Sequence, residues 1–219
     1  GCDSTAILNL TINQADTSYT NITSCDSYDW NDSTYNQSGT YTYSSGPSID
    51  YSMSFDGSND NINIPSTYDL VAQSNSMSVS AWIKVPDTNV NDWETVVGGR
   101  NGYGYQLYAG SNSDNGKIRF DINTSQSTYL HFSGNSDIRD NQWHYISATY
   151  DGNTAKIYLD GTLENQLNIN TSYLATQLGN QDLLIGNSNH ASEYFIGEIS
   201  DVLIWNRALS QSEIQTHLS

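Results

Sequence analysis

The chain of 219 residues carries 7 lysine or arginine side chains against 24 aspartate or glutamate side chains, a formal net charge of −17. A charge of this sign repels nucleic acid and anionic membrane surfaces, so nucleic-acid binding is excluded. Charged residues make up only 14% of the chain, so its solubility must rest on Asn, Ser, Thr and Tyr, as in extracellular β-proteins. No window is apolar enough to span a bilayer. We therefore predict an extracellular or cell-surface protein with no membrane insertion.

The first 46 residues are rich in Ser, Thr, Asn and Tyr and contain the triplet Cys-Asp-Ser twice, beginning at Cys2 and at Cys25. Short alternating stretches follow each triplet, which predicts a small β module with an internal repeat. Both cysteines lie in this module, so we predict a disulfide between them in an oxidising compartment. Two unrelated thiols are the alternative.

The run Cys25 to Trp30, Cys-Asp-Ser-Tyr-Asp-Trp, resembles the tandem repeats of long secreted and cell-surface proteins of Bacteroidetes-type bacteria. The resemblance implies that neighbouring repeats of the same longer chain are partners of this module. It leaves open whether Cys2 pairs with Cys25 or with a partner outside the chain. The triplets beginning at Asp3 and Asp32 resemble the O-glycosylation acceptor of such bacteria, which makes Ser4 and Ser33 candidate sites.

The turn-rich residues 44–47 predict a boundary, so that residues 1–46 form the small module and residues 47–219 a second domain. Within the second domain, residues 143–161 alternate apolar and polar side chains around two Asp-Gly turns, which predicts a β-hairpin. Near the end, Ser210 and Glu213 have the spacing of a capping box. We therefore expect one short helix to finish the chain.

This hairpin resembles the central hairpin of the laminin G-like (LamG-like) jelly-roll family, which has concanavalin-like lectins and pentraxins as distant relatives. The opening strand that ends at Asp56-Gly57, the strand at 78–84 and the closing run Asn206-Arg207-Ala208-Leu209-Ser210 follow the same family order. The resemblance implies an all-β fold. We expect an antiparallel two-sheet jelly-roll sandwich, preceded by the small β module and ended by the short helix.

The acidic side chains do not suggest an enzyme. Glycoside hydrolases of concanavalin-like fold place two carboxylates about 5 Å apart on one strand face. Glu198 and Asp201 are three residues apart and would face opposite sides of a regular strand. The four histidines have no metal-ligand spacing. We therefore predict a protein without catalytic residues.

Asp56 and Asp60 crowd the turn that follows the opening strand. The family resemblance implies a structural ion that joins this turn to the closing strand, where Asp201 lies. Carboxylate oxygens are the ligands that calcium prefers. We predict a calcium ion held by Asp56, Asp60 and Asp201, with simple turn formation as the alternative.

Two loops correspond, on the resemblance, to the ligand-binding loops of pentraxins. Tyrosine rings offer faces for stacking on a sugar, and arginine and asparagine offer hydrogen bonds. Trp93 is a further candidate contact, whereas Trp82, Trp143 and Trp205 lie in strand patterns and are expected in the core. The predicted ligand-binding residues are Arg100, Asn101, Tyr103, Tyr105, Asn187, Asn189, Glu193 and Tyr194.

Taken together, the resemblances imply a non-catalytic adhesin module that binds a glycan or glycoprotein ligand, within a large secreted or cell-surface bacterial protein. The alternative is a structural subunit or spacer of a surface fibre, assembled through strands of the N-terminal module.

Overall fold

A computed structural model describes residues 28–30, 33–35, 51–65, 76–87, 91–99, 104–125, 128–169, 182–188 and 193–218. The chain divides into two compact units, residues 1–44 and residues 45–219. In the first unit the described residues form an antiparallel hairpin of β1 (Tyr28–Trp30) and β2 (Ser33–Tyr35).

The second unit contains twelve described strands and one short helix. In chain order these are β3 (Met53–Asp56), β4 (Ile62–Ile64), β5 (Met77–Lys84), β6 (Thr95–Gly98), β7 (Tyr105–Ala109), β8 (Ile118–Ser125), β9 (Thr128–Ser133), β10 (Trp143–Tyr150), β11 (Thr154–Leu159), β12 (Thr162–Asn168), β13 (Leu183–Ile185), β14 (Ile196–Trp205) and α1 (Gln211–Gln215). A 3-10 turn at Asn112–Asp114 lies between β7 and β8.

The twelve strands form two sheets of six. The first sheet has the order β12-β11-β10-β5-β14-β3, and the second sheet has the order β4-β13-β6-β7-β8-β9. All strand pairings in both sheets are antiparallel. The predicted all-β, antiparallel jelly-roll sandwich is therefore confirmed.

The central hairpin of β10 and β11 forms because its turn is encoded locally. Asp151 Oδ1 accepts hydrogen bonds from the backbone N–H groups of Asn153 (2.9 Å) and Thr154 (2.7 Å). Gly152 has a φ of +96°, which costs glycine little. These bonds fix the register in which Ala148 of β10 faces Ile157 of β11.

The main core lies between the sheets and follows the period-two alternation of the strands. In β5, Val79, Ala81 and Ile83 are completely buried and belong to this core. Leu107 and Phe120 enter it from the second sheet. Alternate side chains of each strand therefore face the core.

A smaller apolar cluster covers the other face of the first sheet. Tyr145 and Ile214 lie in this cluster, and Trp82 and Trp205 pack against it while only half-buried. Trp82 and Trp205, which their strand patterns place in the core, therefore pack against this smaller core cluster beside α1 rather than between the two sheets.

The helix α1 begins as predicted. Ser210 Oγ accepts a hydrogen bond from the backbone N–H of Glu213 (3.3 Å), and Glu213 Oε2 accepts one from the backbone N–H of Ser210 (2.8 Å). The hydrogen bonds that the Glu213 carboxylate accepts from the backbone N–H and the hydroxyl of Ser210 lower its pKa to about 2, with a smaller contribution from Arg207. The predicted capping box is confirmed.

Candidate functional site

The outer face of the second sheet is polar. In β7, Leu107 belongs to the core, so its neighbours Gln106 and Tyr108 lie on the opposite face. In β8, Phe120 belongs to the core, so Arg119 and Asp121 lie on that same outer face. Gln106, Tyr108 and Asp121 are nevertheless buried. A buried polar face must be organised by hydrogen bonds, because each unpaired group would be costly.

Glu193, just before β14, is the centre of this organisation and is 6% exposed. Its Oε2 accepts hydrogen bonds from Ser188 Oγ (2.6 Å) and Gln106 Nε2 (2.7 Å), and at 3.3 Å from Thr95 Oγ1 and Tyr108 OH. Its backbone oxygen also accepts from the N–H of Thr95 (3.1 Å). We call these five residues the polar cluster.

Arg119 lies beside the polar cluster and carries a stack of aromatic rings. Its guanidinium carbon is 4.8 Å from the ring centroid of Trp93 and 5.6 Å from that of Tyr108. The rings of Trp93 and Tyr108 meet edge to face, with centroids 5.8 Å apart. Trp93 is only partly buried. We call Trp93, Tyr108 and Arg119 the aromatic stack, and its outer member is accessible to a ligand.

Two carboxylates hold the guanidinium of Arg119 in place. Asp121 accepts hydrogen bonds from Nε (2.6 Å) and Nη2 (3.1 Å), which makes a bidentate pair. Asp114 Oδ1 lies 3.6 Å from Nη1. Burial alone would lower the pKa of Arg119, but the hydrogen bond and charge of Asp121 offset it, and the pKa lies above its ordinary value. Arg119 therefore stays charged and fixed in orientation.

Three acceptor atoms at or near the outer face lack a donor among the described residues. Gln106 Oε1, Asn187 Oδ1 and Asp114 Oδ2 are buried, yet none of them accepts a hydrogen bond from another described residue. Buried polar atoms are seldom left unpaired in native proteins, and clusters of them often mark sites completed by water or a ligand. The arrangement is suited to a partner that is rich in hydroxyl donors.

The structure brings some of the predicted ligand-binding residues to this face. Glu193 is the centre of the polar cluster, and Asn187 lies next to its member Ser188. Tyr194 is half-buried beside Glu193, and its backbone oxygen accepts a hydrogen bond from Asn91 Nδ2 (2.8 Å).

The prediction that Tyr105 contacts a ligand is corrected by its position in the structure. Its ring is 2% exposed and belongs to the main core, because it shares the inward-facing parity of Leu107 in β7. Its ring face is therefore not available for stacking on a sugar.

Several predicted residues lie outside the described part of the chain, so their roles stay predictions. They are the ligand-binding candidates Arg100, Asn101, Tyr103 and Asn189, the cysteines Cys2 and Cys25, and Ser4. Ser33 begins β2, but its side chain is not described.

Sequence reasoning missed Gln106, Tyr108, Arg119 and Asp121 as members of the site. The signal was present in the alternation of β7 and β8, where each places polar side chains on one face and apolar ones on the other. This alternation predicts a polar outer face, but it does not distinguish a binding site from an ordinary solvated face of a sandwich.

The predicted calcium site does not form as a group of three carboxylates. Asp56 pairs across the sheet with Ile196, whereas Asp201 is five residues further along β14, or about 17 Å at ~3.4 Å per residue. One ion cannot bridge that distance, so the prediction that Asp56, Asp60 and Asp201 share an ion is corrected. Among the described residues, no group of three or more His, Cys, Asp or Glu side chains has the arrangement of a metal site.

At the predicted turn, the carboxylates of Asp56 and Asp60 bind backbone amides. Asp60 Oδ2 accepts a hydrogen bond from the N–H of Asp56 (3.0 Å), and Asp56 Oδ1 accepts one from the N–H of Ser58 (2.8 Å). Each bond uses one carboxylate oxygen in shaping the turn.

An asparagine joins this turn to the segment before β14. Asn91 Nδ2 donates hydrogen bonds to the backbone oxygens of Gly57 (3.1 Å) and Tyr194 (2.8 Å). The neighbouring Glu94 accepts from the N–H groups of Asn91 (2.5 Å) and Ile196 (3.3 Å). Protein side chains therefore make the connection that the predicted ion would have made.

Burial raises the pKa of Glu94 to about 7, although its bonds to Asn91 and Ile196 lower it in part. Such a raised pKa is typical of catalytic acids, but Glu94 is completely buried and binds two backbone amides. A structural role accounts for both its pKa and its contacts.

The strand β14 is not regular, so the expectation that Glu198 and Asp201 face opposite sides of a regular strand does not apply. Its register with β5 shifts between Ser200 and Leu203, and Asp201 adopts a φ of +47°. Opposite faces can therefore not be assumed for the two acids. Glu198, however, binds Ser52 Oγ (2.6 Å) and Lys84 Nζ (3.2 Å), and these contacts lower its pKa. A carboxyl with a lowered pKa is unsuited to protonate a leaving group.

The sequence profile of the concanavalin A-like lectin/glucanases superfamily matches residues 56–215. The chain therefore belongs to this superfamily. A search of curated protein sequences finds no match. In the described part of the chain, no helix has the length and apolar character needed to cross a membrane.

Several solved structures share the fold. Domain 4 of AbnA, a GH43 extracellular arabinanase from Geobacillus stearothermophilus solved with arabinotriose, has a TM-score of 0.61 at 22% identity over 84% of each chain. The CBM40 of the Ruminococcus gnavus IT-sialidase has a TM-score of 0.60 at 12% identity, over 77% of this chain and 96% of that chain.

The binding domain of Paraclostridial Mosquitocidal Protein 1 has a TM-score of 0.56 at 15% identity over 75% of this chain. The chain spans less than half of the length of this binding domain and of that of Botulinum Neurotoxin serotype G. At these identities the likeness shows the fold alone.

Proposed function

We propose that the domain of residues 47–219 is a non-catalytic carbohydrate-binding module, with its glycan held against the outer face of the second sheet. The observation that carries this proposal is the partly buried Trp93, whose ring meets that of Tyr108 in the buried polar cluster. An aromatic ring with hydrogen-bonding groups around it matches a sugar, which has an apolar ring face and a rim of hydroxyls.

Two structural neighbours support the same class of ligand. One was solved with arabinotriose and the other with alpha2,3 sialyllactose. These are properties of those proteins, and they come to this chain as part of the proposal. A shared fold does not by itself transfer a function, so the argument depends on Trp93 and the polar cluster.

The proposal is tested by a glycan array followed by calorimetry with the strongest ligand. Trp93→Ala should weaken binding about tenfold or more, because ring stacking and burial together contribute on the order of 1.4 kcal/mol or more. Tyr51→Ala is the matched control, since Tyr51 is 89% exposed beside β3 in the other sheet. Undiminished binding by a folded Trp93→Ala variant would show that the aromatic stack is not part of the binding site.

We place this module in a large secreted or cell-surface bacterial protein, where it acts as an adhesin. The support comes from the composition, which is acidic overall and rich in uncharged polar residues, and from the repeated Cys-Asp-Ser motif in residues 1–46. In this setting Cys2 pairs with Cys25, and Ser4 and Ser33 carry O-linked glycans. Mass spectrometry of the protein from its native source, with and without reduction, tests each of these assignments.

A structural subunit of a surface fibre is the second candidate function. The described part of the first unit is a two-stranded sheet of β1 and β2, and short ribbons of this kind present edges on which further strands can pair. Deletion of residues 1–46 should then abolish filaments seen by electron microscopy while leaving glycan binding intact. Glycan binding by the intact protein, with no filaments that depend on residues 1–46, would favour the adhesin.

A further inference from the structure

We infer that the glycan bound at this site is uncharged, and that the site excludes sugars that carry a carboxylate. This inference rests on the proposed function and names the chemical class of its ligand. Three features of the described residues carry it. Each arginine is already paired with a carboxylate, the charged groups at the aromatic stack are mostly negative, and three buried acceptors lack a donor among these residues.

Every arginine in the described part of the chain is already bound to a carboxylate. The nitrogen-to-oxygen distances are 2.6 Å for Arg119 and Asp121, 2.6 Å for Arg139 and Asp137, and 2.8 Å for Arg207 and Glu213. An arginine recognises a carboxylate through two parallel N–H bonds. In Arg119 this pair of donors, Nε and Nη2, is used by Asp121. This edge of the cation in the aromatic stack is therefore not available to an acidic sugar, and the remaining nitrogen, Nη1, faces the carboxylate of Asp114 at 3.6 Å.

The charged side chains that contact the aromatic stack in the described part of the chain carry more negative than positive charge. Arg119 contributes one positive charge, whereas Asp114, Asp121 and Glu193 contribute three negative charges on the same face. The chain as a whole adds a net charge of −17. A ligand carboxylate that approaches Trp93 would meet repulsion from both the local and the overall charge.

The unpaired acceptors of the site also disfavour an acidic sugar. Gln106 Oε1, Asn187 Oδ1 and Asp114 Oδ2 have no donor within the described ranges of the chain. A neutral sugar brings hydroxyl groups that can donate, whereas an ionised carboxylate can only accept. The carboxylate of an acidic sugar would therefore offer no donor to these acceptors.

The test uses matched glycan pairs on one array, each neutral oligosaccharide beside its sialylated or uronic-acid counterpart, with lactose and sialyllactose as one pair. At pH 7.5 we expect signal on the neutral member of a pair and at least tenfold less on the acidic one. Stronger binding of an acidic member would overturn this inference while leaving the proposed function intact. Binding to no glycan at all would overturn both.

Substitution of the carboxylate that holds Arg119 sharpens the test. Asp121→Asn should release the guanidinium and raise the ratio of acidic to neutral binding about tenfold. Because Asp121 is buried, Asp114→Asn is the second variant, and it makes the same change of charge at a side chain that is 11% exposed. Unchanged ratios in both folded variants would overturn the inference.

The control variant is Glu213→Gln. It releases Arg207 by the same change of charge, but at α1, and glutamine can replace glutamate in a capping box. Its acidic-to-neutral ratio should equal that of the wild type. A wild-type preference for sialyllactose that disappears in Arg100→Gln would overturn the inference and place the recognition of an anion at Arg100.

Discussion

The carboxylate of Glu193 accepts a hydrogen bond from Gln106 Nε2 at 2.7 Å, which joins the segment before β14 to the middle of β7. The two residues are 87 positions apart in the sequence, and both are buried. Gln106 thus orients the one carboxylate that also binds Ser188, and Ser188 lies beside a segment that the sequence identifies as a ligand loop.

The first prediction concerns this bond. Glu193→Ala would remove the buried acceptor that the side-chain donors of Gln106, Ser188 and Thr95 share, at a cost of about 3 kcal/mol. Urea denaturation measures the change. Tyr194→Ala, one residue along, is the control and should cost less. An equal loss in both variants would show that the network adds nothing beyond local packing.

The second prediction is a pH dependence that arises at His144. Its Nδ1 lies 2.8 Å from Asp160 Oδ2 and its Nε2 lies 3.2 Å from Asp140 Oδ2. The hydrogen bond to Asp160, aided by Asp140 and opposed by burial, raises the pKa of His144 above 6.5. A group that binds its proton more tightly when folded stabilises the protein below its unfolded pKa. This stabilisation is lost as the pH rises above 6.5 and through the folded-state pKa.

Thermal unfolding between pH 5.5 and pH 8.5 tests this coupling. The midpoint of the wild type should fall across the upper part of this range, and His144→Gln should reduce that fall. His217 stacks near Trp205 at 5.2 Å and serves as the control histidine. A profile that keeps its shape in His144→Gln would assign the pH dependence to another group.

The third prediction concerns Glu94, whose pKa is about 7 rather than 4.5 because of burial. Between these values the unfolded carboxyl ionises while the folded one keeps its proton. Stability should therefore fall as the pH rises from 4.5 to 7, by about 3 kcal/mol in total at 1.36 kcal/mol per pH unit. Urea denaturation at pH 5 and pH 7.5 measures the effect.

Glu94→Gln removes the titration and should flatten the curve over that range. Glu198→Gln is the matched control, because contacts with Ser52 and Lys84 lower the pKa of Glu198. It should leave the dependence between pH 5 and pH 7 unchanged. Identical curves for the wild type and Glu94→Gln would show that the carboxyl is ionised in the folded protein at pH 7.

The elements that sequence predicted well are those whose signals are local. The turn at Asp151 and the capping box of Ser210 and Glu213 each involve residues within three positions of one another. Their hydrogen bonds form whatever the rest of the chain does. The superfamily could also be predicted, because its short motifs, such as the closing run from Asn206 to Ser210, occur in the family's order along the chain.

The features that sequence did not predict depend on distant partners. Tyr105 has a side chain that suits both a core and a site, and only its packing in the main core decides between them. The bulge at Asp201 arises from the register of β14 against β5, which no local pattern specifies. Likewise Glu193 and Gln106 are acceptable surface residues until the fold buries them together.

The last prediction concerns calcium, which we propose at the turn of Asp56 and Asp60 alone. Each of these carboxylates uses one oxygen for a backbone amide, which leaves a second oxygen for an ion. Binding only to the folded state would stabilise it by about 2.7 kcal/mol at a calcium concentration 100 times the Kd. The melting temperature should then rise in millimolar calcium and fall with a chelator. Asp56→Asn should remove most of this difference, whereas Asp201→Asn should preserve it, because the strand register places Asp201 about 17 Å away. A melting temperature that is unchanged by the chelator would show that Asp56 and Asp60 only shape the turn and bind no calcium.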